Sequence, residues 1–309
     1  MRALRLTVVL LVALAVSPRL FAQQGSASSP SEPGKLQTAL SAKLTADLNR
    51  IAESYDGVMG IFVKDLTNGA AFQVNPDTVF PQASSIKIPI LIELMRQAQE
   101  GKLNLAERIE IHRATLVGGS GVLQFFSEGG SAISLRDLAA LMVVLSDNSA
   151  TNLIINRIGM SNVNAMLASL GLDETVLARK MIDIAAEHAD RENRSTPHQM
   201  ATLIELLNAG KLLDAAHTKL ALEILEYPKD SPLRAGVPAG ITVAEKPGSL
   251  SGAQCDTGIV LLSGRPYVIS VMTTFNPTDG NAVITAVSAR VFSYFDRLAH
   301  ANAYGVHVH

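Results

Sequence analysis

Apolar residues recur at three- and four-residue spacing near the start of the chain, and this spacing predicts an amphipathic helix from Lys35 to about Tyr55. Two short runs with the composition of strands follow, Val58 to Val63 and Ala70 to Val74. Thr67-Asn68-Gly69 separates them, and an Asn-Gly pair between two such runs is a strong hairpin signal. This part of the sequence therefore predicts one helix and an antiparallel pair of strands.

The middle of the sequence has helical periodicity. Pro197 suits the first turn of a helix, and Gly210 suits a helix end. The predicted helices are Ser84 to about Gln99, Leu135 to about Leu145, Ala150 to Ile158, Ser161 to Leu170, and Pro197 to about Asn208.

Strand patterns return beyond Pro238, and a helix follows them. Strands at both ends of the chain with helices between them predict an α+β fold, in which an antiparallel sheet built from both chain ends and flanked by terminal helices carries an inserted all-helical domain. We place the sheet domain at residues 35–80 and 241–304 and the helical domain at residues 81–240. The late elements are strands at Ile241 to Ala244, Gly258 to Leu262 and Tyr267 to Thr274, and a helix from about Ala282 to His300.

The amino-terminal residues have the pattern of a secretory signal peptide, which we assign to residues 1–22. Arg2 and Arg5 precede an apolar run, and Ala22 is a small residue at a suitable cleavage point. The run is too short for a permanent span, so we expect no stable membrane anchor, although an uncleaved anchor is the alternative. Residues 23–34 are rich in Ser, Pro and Gly and predict a flexible linker. We therefore expect a periplasmic or secreted protein.

Composition limits what the chain can bind. The formal net charge of the 309 residues is -2, which gives no long-range field to attract nucleic acid or an anionic membrane. The seven histidines form no metal-binding constellation, so we expect neither a metal nor another cofactor. Cys255 is the only cysteine, which leaves no internal disulfide. We expect a monomer.

Three short motifs carry the candidate chemistry. Ser84 and Lys87 are three residues apart, which on a helix brings a hydroxyl and an ammonium group to the same face. Ser146-Asp147-Asn148 adds a hydroxyl and an amide, and Lys246-Pro247-Gly248 adds a second lysine beside a predicted strand. Each motif alone has an ordinary reading, as a chance match, a helix N-cap or a turn. Their joint order and spacing favour an active-site serine.

In these motifs the sequence resembles the class A β-lactamases and the related penicillin-binding proteins, which have S-x-x-K, S-D-N and K-T-G in the same order. The resemblance covers nearly everything from Lys35 to His300 and implies a catalytic cleft between the sheet and the helical domain. It departs at Pro247, where the family has a Thr or Ser hydroxyl that helps to hold the substrate carboxylate. Ser249 and Ser251 are near enough in sequence to compensate.

The resemblance implies that four of these residues act on a small-molecule β-lactam. Ser84 would attack the lactam carbonyl, with Lys87 as base or proton relay. Ser146 would pass a proton to the departing nitrogen. The backbone N–H groups of Ser84 and Ser249 would hold the oxyanion.

Two further residues are implied in substrate binding. Asn148 would hold the amide carbonyl of the substrate, and Lys246 would attract its carboxylate. Lys246 and Lys87 would also lower each other's pKa, because a neighbouring like charge disfavours the charged form.

The base for hydrolysis of the acyl-enzyme is less clearly marked. Class A enzymes take it from a Glu in an Ω-loop that precedes a Thr-Pro helix start. The matching segment, Arg179 to Asn193, lacks the family's Glu followed four residues later by Asn. By its distance from the flanking motifs Asp183 comes nearest, and Glu187 is the alternative. Either residue also reads as part of a solvated loop face.

Three functions are compatible with these residues. The first, which we expect, is a serine β-lactamase that hydrolyses the β-lactam amide bond through a Ser84 acyl-enzyme. The second is a penicillin-binding or D-alanyl peptidase-like enzyme with slow deacylation, which the altered Ω-loop favours. The third is an idle binding module that keeps the fold, against which the joint presence of the motif residues speaks.

Overall fold

A computed structural model of the chain describes residues 32–277 and 279–307. The predicted signal peptide at residues 1–22 lies outside the described residues, as do residues 23–31 of the predicted linker. The last residues assigned to that linker, 32–34, belong instead to the first helix.

The main sheet has five antiparallel strands, and both ends of the chain contribute to it. Its strand order is β2-β1-β9-β8-β7, while β3 pairs with β6 and β4 with β5 in two small sheets. The strands are β1 (Val58–Asp65), β2 (Ala71–Val74), β3 (Phe80–Pro81), β4 (Arg108–Glu110), β5 (Ala132–Ser134), β6 (Arg194–Ser195), β7 (Val243–Leu250), β8 (Ala253–Val260) and β9 (Tyr267–Thr274).

Helices cover both faces of this sheet. The first and last helices, α1 and α10, pack together on one face, and α7 packs against the other face. The helices are α1 (Glu32–Ser54), α2 (Lys87–Gln99), α3 (Leu135–Val144), α4 (Asn148–Ile158), α5 (Met160–Ser169), α6 (Ile184–Glu187), α7 (Pro197–Asn208), α8 (Ala215–Glu226), α9 (Pro232–Ala235) and α10 (Asn281–Ala299).

Two hydrophobic cores lie on opposite faces of the sheet. On β9, Val268 and Met272 belong to the core shared with the inserted helices, whereas Ile269 and Val271 belong to the core shared with α1 and α10. This alternation follows from the two-residue period of a strand. The predicted α+β class is confirmed, with the sheet built from both chain ends and covered by the terminal helices. The domain boundaries at residues 80 and 240 stay a prediction.

Two segments differ from their predicted boundaries, and one of the longer helices was not predicted. The segment at Ser84 begins as a 3-10 turn, Ala83–Ile86, and α2 starts only at Lys87. Strand β7 continues through Pro247 to Leu250, and it is the last strand in the sheet order, a position where proline is tolerated. Helix α8 was not predicted, although Asp214 is its N-cap and accepts a hydrogen bond from the backbone N–H of His217.

Candidate active site

Ser84 and Lys87 meet at the junction between the 3-10 turn and α2. Lys87 Nζ lies 2.9 Å from Ser84 Oγ, so the predicted pair is brought together. The tight turn is attached to the sheet by the next residue, because Ser85 Oγ donates a hydrogen bond of 2.7 Å to the carbonyl oxygen of Lys246. The serine hydroxyl is therefore held between the inserted helices and strand β7.

The Lys87 amine is within hydrogen-bond distance of four oxygens. Besides Ser84 Oγ these are Ser146 O at 2.7 Å, Ser146 Oγ at 3.0 Å and Asn148 Oδ1 at 3.1 Å. The amide orientation of Asn148 is fixed because its Nδ2 donates to Gly118 O. The carbonyl of Ser146 and Oδ1 of Asn148 can only accept, so they take two N–H groups of the amine. A neutral amine would then have its lone pair left for a serine hydroxyl.

The environment of Lys87 favours that neutral form. Its side chain is fully buried, and burial holds its pKa well below the ordinary value of 10.5. The positive charge of Lys246 lowers the pKa further, while Asp147 opposes the shift. A buried amine whose pKa is lowered gives up its proton more easily, and in its neutral form it can accept the proton of Ser84.

The Ser146 loop is shaped by Asp147, whose role the motif alone does not reveal. The carboxylate of Asp147 caps α4 by accepting from Ala150 N at 2.9 Å, and it also accepts from Val122 N at 2.7 Å. Ser146 has a positive φ of 52°, a conformation that is uncommon for a non-glycine residue. Gly121 leaves room for the carboxylate, because a Cβ there would lie 2.2 Å from it.

Strand β7 forms the opposite wall of the site. A Cβ on Gly248 would lie 2.9 Å from Ser84 N and 2.6 Å from Gln82 O, so glycine allows the strand to pass directly beside the turn that carries Ser84. Ser249 follows on the same strand and lines both pockets with Ser84, and the family resemblance implies that the backbone N–H groups of these two residues are the oxyanion donors. The structure thus brings the third motif against the first.

Lys246 belongs to the same strand and is buried, with 2% of its surface exposed. Its Nζ donates to the carbonyl oxygen of Pro247 at 2.8 Å. Burial lowers the pKa of Lys246 to about 8, and the carboxylate of Asp256 partly offsets the shift. Lys246 therefore carries a positive charge at neutral pH.

A cleft of about 410 Å³ opens above these groups. Five of the eight residues predicted for the site meet at this cleft. Four of them line it: Ser84, Ser146, Lys246 and Ser249. The fifth, Lys87, is buried and contacts the hydroxyl groups of Ser84 and Ser146. A smaller adjoining pocket of about 200 Å³ shares Ser84 and Ser249 with the cleft and adds Asn148.

The two Ω-loop carboxylates occupy different positions. Asp183 is exposed, is not among the residues that line the two pockets, and caps the short helix α6 by accepting from Ala186 N at 3.0 Å. Glu187 does line the smaller pocket, but 46% of its side chain is exposed. It lies 3.7 Å from Arg179, which is also paired with Glu192 at 3.1 Å. Of the two candidates, only Glu187 shares a pocket with Ser84.

An apolar residue that sequence reasoning missed lines the smaller pocket together with Ser84. Met181 lines this pocket with 8% of its surface exposed. Asn152 fixes its backbone from both sides, accepting from Met181 N at 2.9 Å and donating to Met181 O at 3.0 Å. The next residue, Ile182, lines the pocket too and has a φ of 61°, which is an outlier for a β-branched side chain. The loop is therefore built to present apolar groups here.

A serine hydroxyl bonded to a buried lysine, between inserted helices and the edge of an antiparallel sheet, is the arrangement of an active-site-serine hydrolase. Comparison with known proteins agrees. The family model described as the beta-lactamase enzyme family matches residues 43–295. The chain belongs to the class A serine β-lactamase family, which confirms the resemblance seen in the motifs.

Individual relatives include both β-lactamases and a penicillin-reactive protein. Beta-lactamase SME-1 of Serratia marcescens is 28% identical over 240 residues, which are 75% of this chain and 81% of that protein. A mutant of PBP-A, solved as an acyl-enzyme complex with penicillin G, has a TM-score of 0.75 at 30% identity and covers 84% of this chain and 97% of that chain. An ancestral (GNCA) class A β-lactamase has a TM-score of 0.76 at 28% identity, over 82% and 100%.

Proposed function

We propose that β-lactams acylate this protein at Ser84 and that the acyl-enzyme is released slowly, as in the penicillin-binding alternative. The observation that carries the acylation step is the 2.9 Å contact between Ser84 Oγ and the fully buried amine of Lys87. A fluorescent or chromogenic β-lactam added in excess tests the proposal. We expect a burst of about one equivalent followed by a stall, and steady turnover without a burst would contradict slow release.

The acylation step can be written from these contacts. Ser84 Oγ forms a bond to the lactam carbonyl carbon while its proton passes to Lys87 Nζ. The carbonyl becomes an oxyanion that the backbone N–H groups of Ser84 and Ser249 stabilise. As the oxyanion collapses, the carbon–nitrogen bond breaks and the nitrogen takes a proton from Ser146 Oγ. Lys87 returns its proton to Ser146 across 3.0 Å, which leaves the amine neutral again.

Slow release is supported by the composition of the smaller pocket. Attack by water needs a base near the ester, and a missing general base typically costs about 10²- to 10⁴-fold in rate. Beside Ser84 this pocket presents Met181 and Ile182, and the carboxylate of Glu187 is close to the cation of Arg179. Asp183 accepts a backbone hydrogen bond instead. Under this proposal the acyl donor outside the laboratory is a cell-wall peptide.

The second candidate is a β-lactamase that hydrolyses the acyl-enzyme, with Glu187 as base. Its specific support is that Glu187 lines the pocket that contains Ser84. If this candidate holds, Glu187→Gln leaves acylation fast but traps the acyl-enzyme, with a deacylation rate about 10²- to 10⁴-fold lower. Asp183→Asn is the matched control, since asparagine also caps a helix. Equal deacylation in the parent and in Glu187→Gln would exclude Glu187.

Lys87→Arg tests the proton acceptor. Arginine stays protonated in proteins, so it cannot take the proton of Ser84. We expect the rate of acylation by a penicillin to fall by about 10²- to 10⁴-fold. Lys102→Arg, at an exposed lysine, is the control. An unchanged acylation rate in Lys87→Arg would remove Lys87 from the role of base.

Export remains part of the proposal. The charged and apolar pattern of residues 1–22 supports a periplasmic or secreted protein. In the described part of the chain, no helix is both long enough and apolar enough to cross a membrane.

A further inference from the structure

A buried carboxyl group lies directly behind the wall of the cleft. Asp256 on β8 is fully buried and is paired in register with Pro247 on β7. Its Oδ2 accepts hydrogen bonds from Ser231 Oγ at 2.6 Å and from Leu233 N at 3.1 Å. Among the described residues, its Oδ1 has no hydrogen-bond partner. A carboxyl oxygen of Asp256 is thus buried without a hydrogen bond from any described residue. Burial of such a group lowers the stability of the fold unless the carboxyl is protonated, so the position calls for an explanation.

The position of Asp256 connects it to the end of the cleft where a substrate carboxylate is expected. Cross-strand partners project from the same face of a sheet, so the Asp256 side chain lies beside Pro247, one strand further from the cleft. Pro247, Ser231 and Lys246 all line the cleft. Asp256 is therefore one residue deep behind the wall, close enough for its charge to act on a bound group.

Other charged groups lie near Asp256 and Lys246, and the exposed Asp230 lines the cleft itself. Glu245 on β7 engages the other two cations, Arg234 of α9 at 2.8 Å and Lys229 at 3.4 Å. On β8, burial raises the pKa of the neighbouring Cys255 thiol to about 12, so it is uncharged. Two further neighbours are uncharged: Val271 of β9 is the register partner of Asp256, and Ser288 of α10 donates a hydrogen bond to Leu233 O.

Burial and the charge of Glu245 raise the pKa of Asp256 to about 7, while Lys246 opposes the shift. The group is therefore neutral in mildly acidic solution and becomes an anion as the pH rises past neutrality. Lys246, with a pKa of about 8, stays positive over most of that change.

We infer that Asp256 is a specificity-determining residue, which offsets the charge of Lys246 and so favours acyl donors whose group at this end of the cleft is neutral over those with a carboxylate. The inference rests on the proposed acylation of Ser84. It goes further by assigning a substrate class, namely amidated or otherwise uncharged donors, to a chain that has Pro247 in place of a hydroxyl residue.

The alternative is that Asp256 only fastens α9 to the sheet through Ser231 and Leu233. Asp256→Asn separates the two roles, since an amide oxygen still accepts both hydrogen bonds but carries no charge. Asp173→Asn is the control, because Asp173 is exposed and is not among the residues that line the cleft or the smaller pocket.

The test compares the second-order rate constants for acylation by benzylpenicillin, an anion, and by its uncharged methyl ester. We expect the ratio of carboxylate to ester in the parent to fall on the order of tenfold between about pH 5.5 and about pH 7.5, as Asp256 loses its proton. In Asp256→Asn the ratio should remain above that of the parent at about pH 7.5 and should fall only as Lys246 loses its proton, and in Asp173→Asn it should follow the parent.

A flat ratio in the parent would overturn the inference alone, as would a ratio in Asp256→Asn that falls like that of the parent. If Asp256→Asn does not fold, the trend in the parent decides by itself. Absence of acylation by both compounds would instead overturn the proposed function, and the inference with it.

Discussion

Replacing Ser84 by alanine is expected to abolish covalent labelling of the protein by a fluorescent penicillin. The Oγ atom forms the acyl bond, so its loss removes the reaction itself and not merely a contribution to its rate. The hydroxyl is only partly buried, and the fold should survive the change. Gel fluorescence after incubation with the label measures the effect, and circular dichroism checks the fold.

Ser85→Ala is the matched control for this prediction. The neighbouring hydroxyl is fully buried and bonds to Lys246 O, so its loss should cost about 1 kcal/mol of stability without removing the label. If the label disappears in Ser85→Ala and persists in Ser84→Ala, the nucleophile has been assigned to the wrong residue.

Met181→Glu is expected to convert a stalled acyl-enzyme into one that turns over. Met181 faces the pocket beside Ser84 and its backbone is held on both sides by Asn152, so a glutamate of similar length would place a carboxylate at that pocket. Burial raises the pKa of such a carboxyl, which suits a general base. We expect deacylation to accelerate on the order of 10²-fold, measured by loss of label after excess penicillin is removed.

Met181→Gln distinguishes base catalysis from a simple opening of the pocket. Glutamine has nearly the same shape and polarity but cannot accept the proton of a water molecule at neutral pH. It should leave the acyl-enzyme as long-lived as in the parent. Equal acceleration by both variants would mean that water access, and not a missing base, limits release.

The contact between Ser84 and Lys87 could be predicted because it depends on a short spacing. A three-residue separation places Ser84 and Lys87 on one face whether the turn is 3-10 or α, so the error in the helix start did not matter. The large separations to Ser146 and Lys246 carry no such geometric information. Only the resemblance to a family placed those residues in one cleft.

The Ω-loop could not be predicted because its residues are set by contacts distant in sequence. Distance along the chain favoured Asp183, whereas the structure turns that side chain to the N-terminus of α6 and brings Glu187 to the pocket. Met181 reads as an ordinary loop residue until its backbone is seen pinned to Asn152. A residue's facing direction in a loop depends on such partners and not on periodicity.

Asp256 shows the same limit within a strand. The sequence predicted a strand from Gly258, but the paired region begins at Ala253, because β7 continues through Pro247 and supplies a partner. Only that register places an acidic side chain behind the cleft. Strand pairing is a long-range property, and no local pattern marked it.

A time course of mass spectra after addition of one equivalent of penicillin tests the central claim most directly. The account predicts that the whole protein gains the mass of one penicillin, that the gain maps to the peptide containing Ser84, and that the adduct persists long after free penicillin is consumed. Rapid return to the unmodified mass, with hydrolysed penicillin in solution, would contradict slow release and establish the β-lactamase alternative. A protein that never gains mass would contradict acylation at Ser84 altogether.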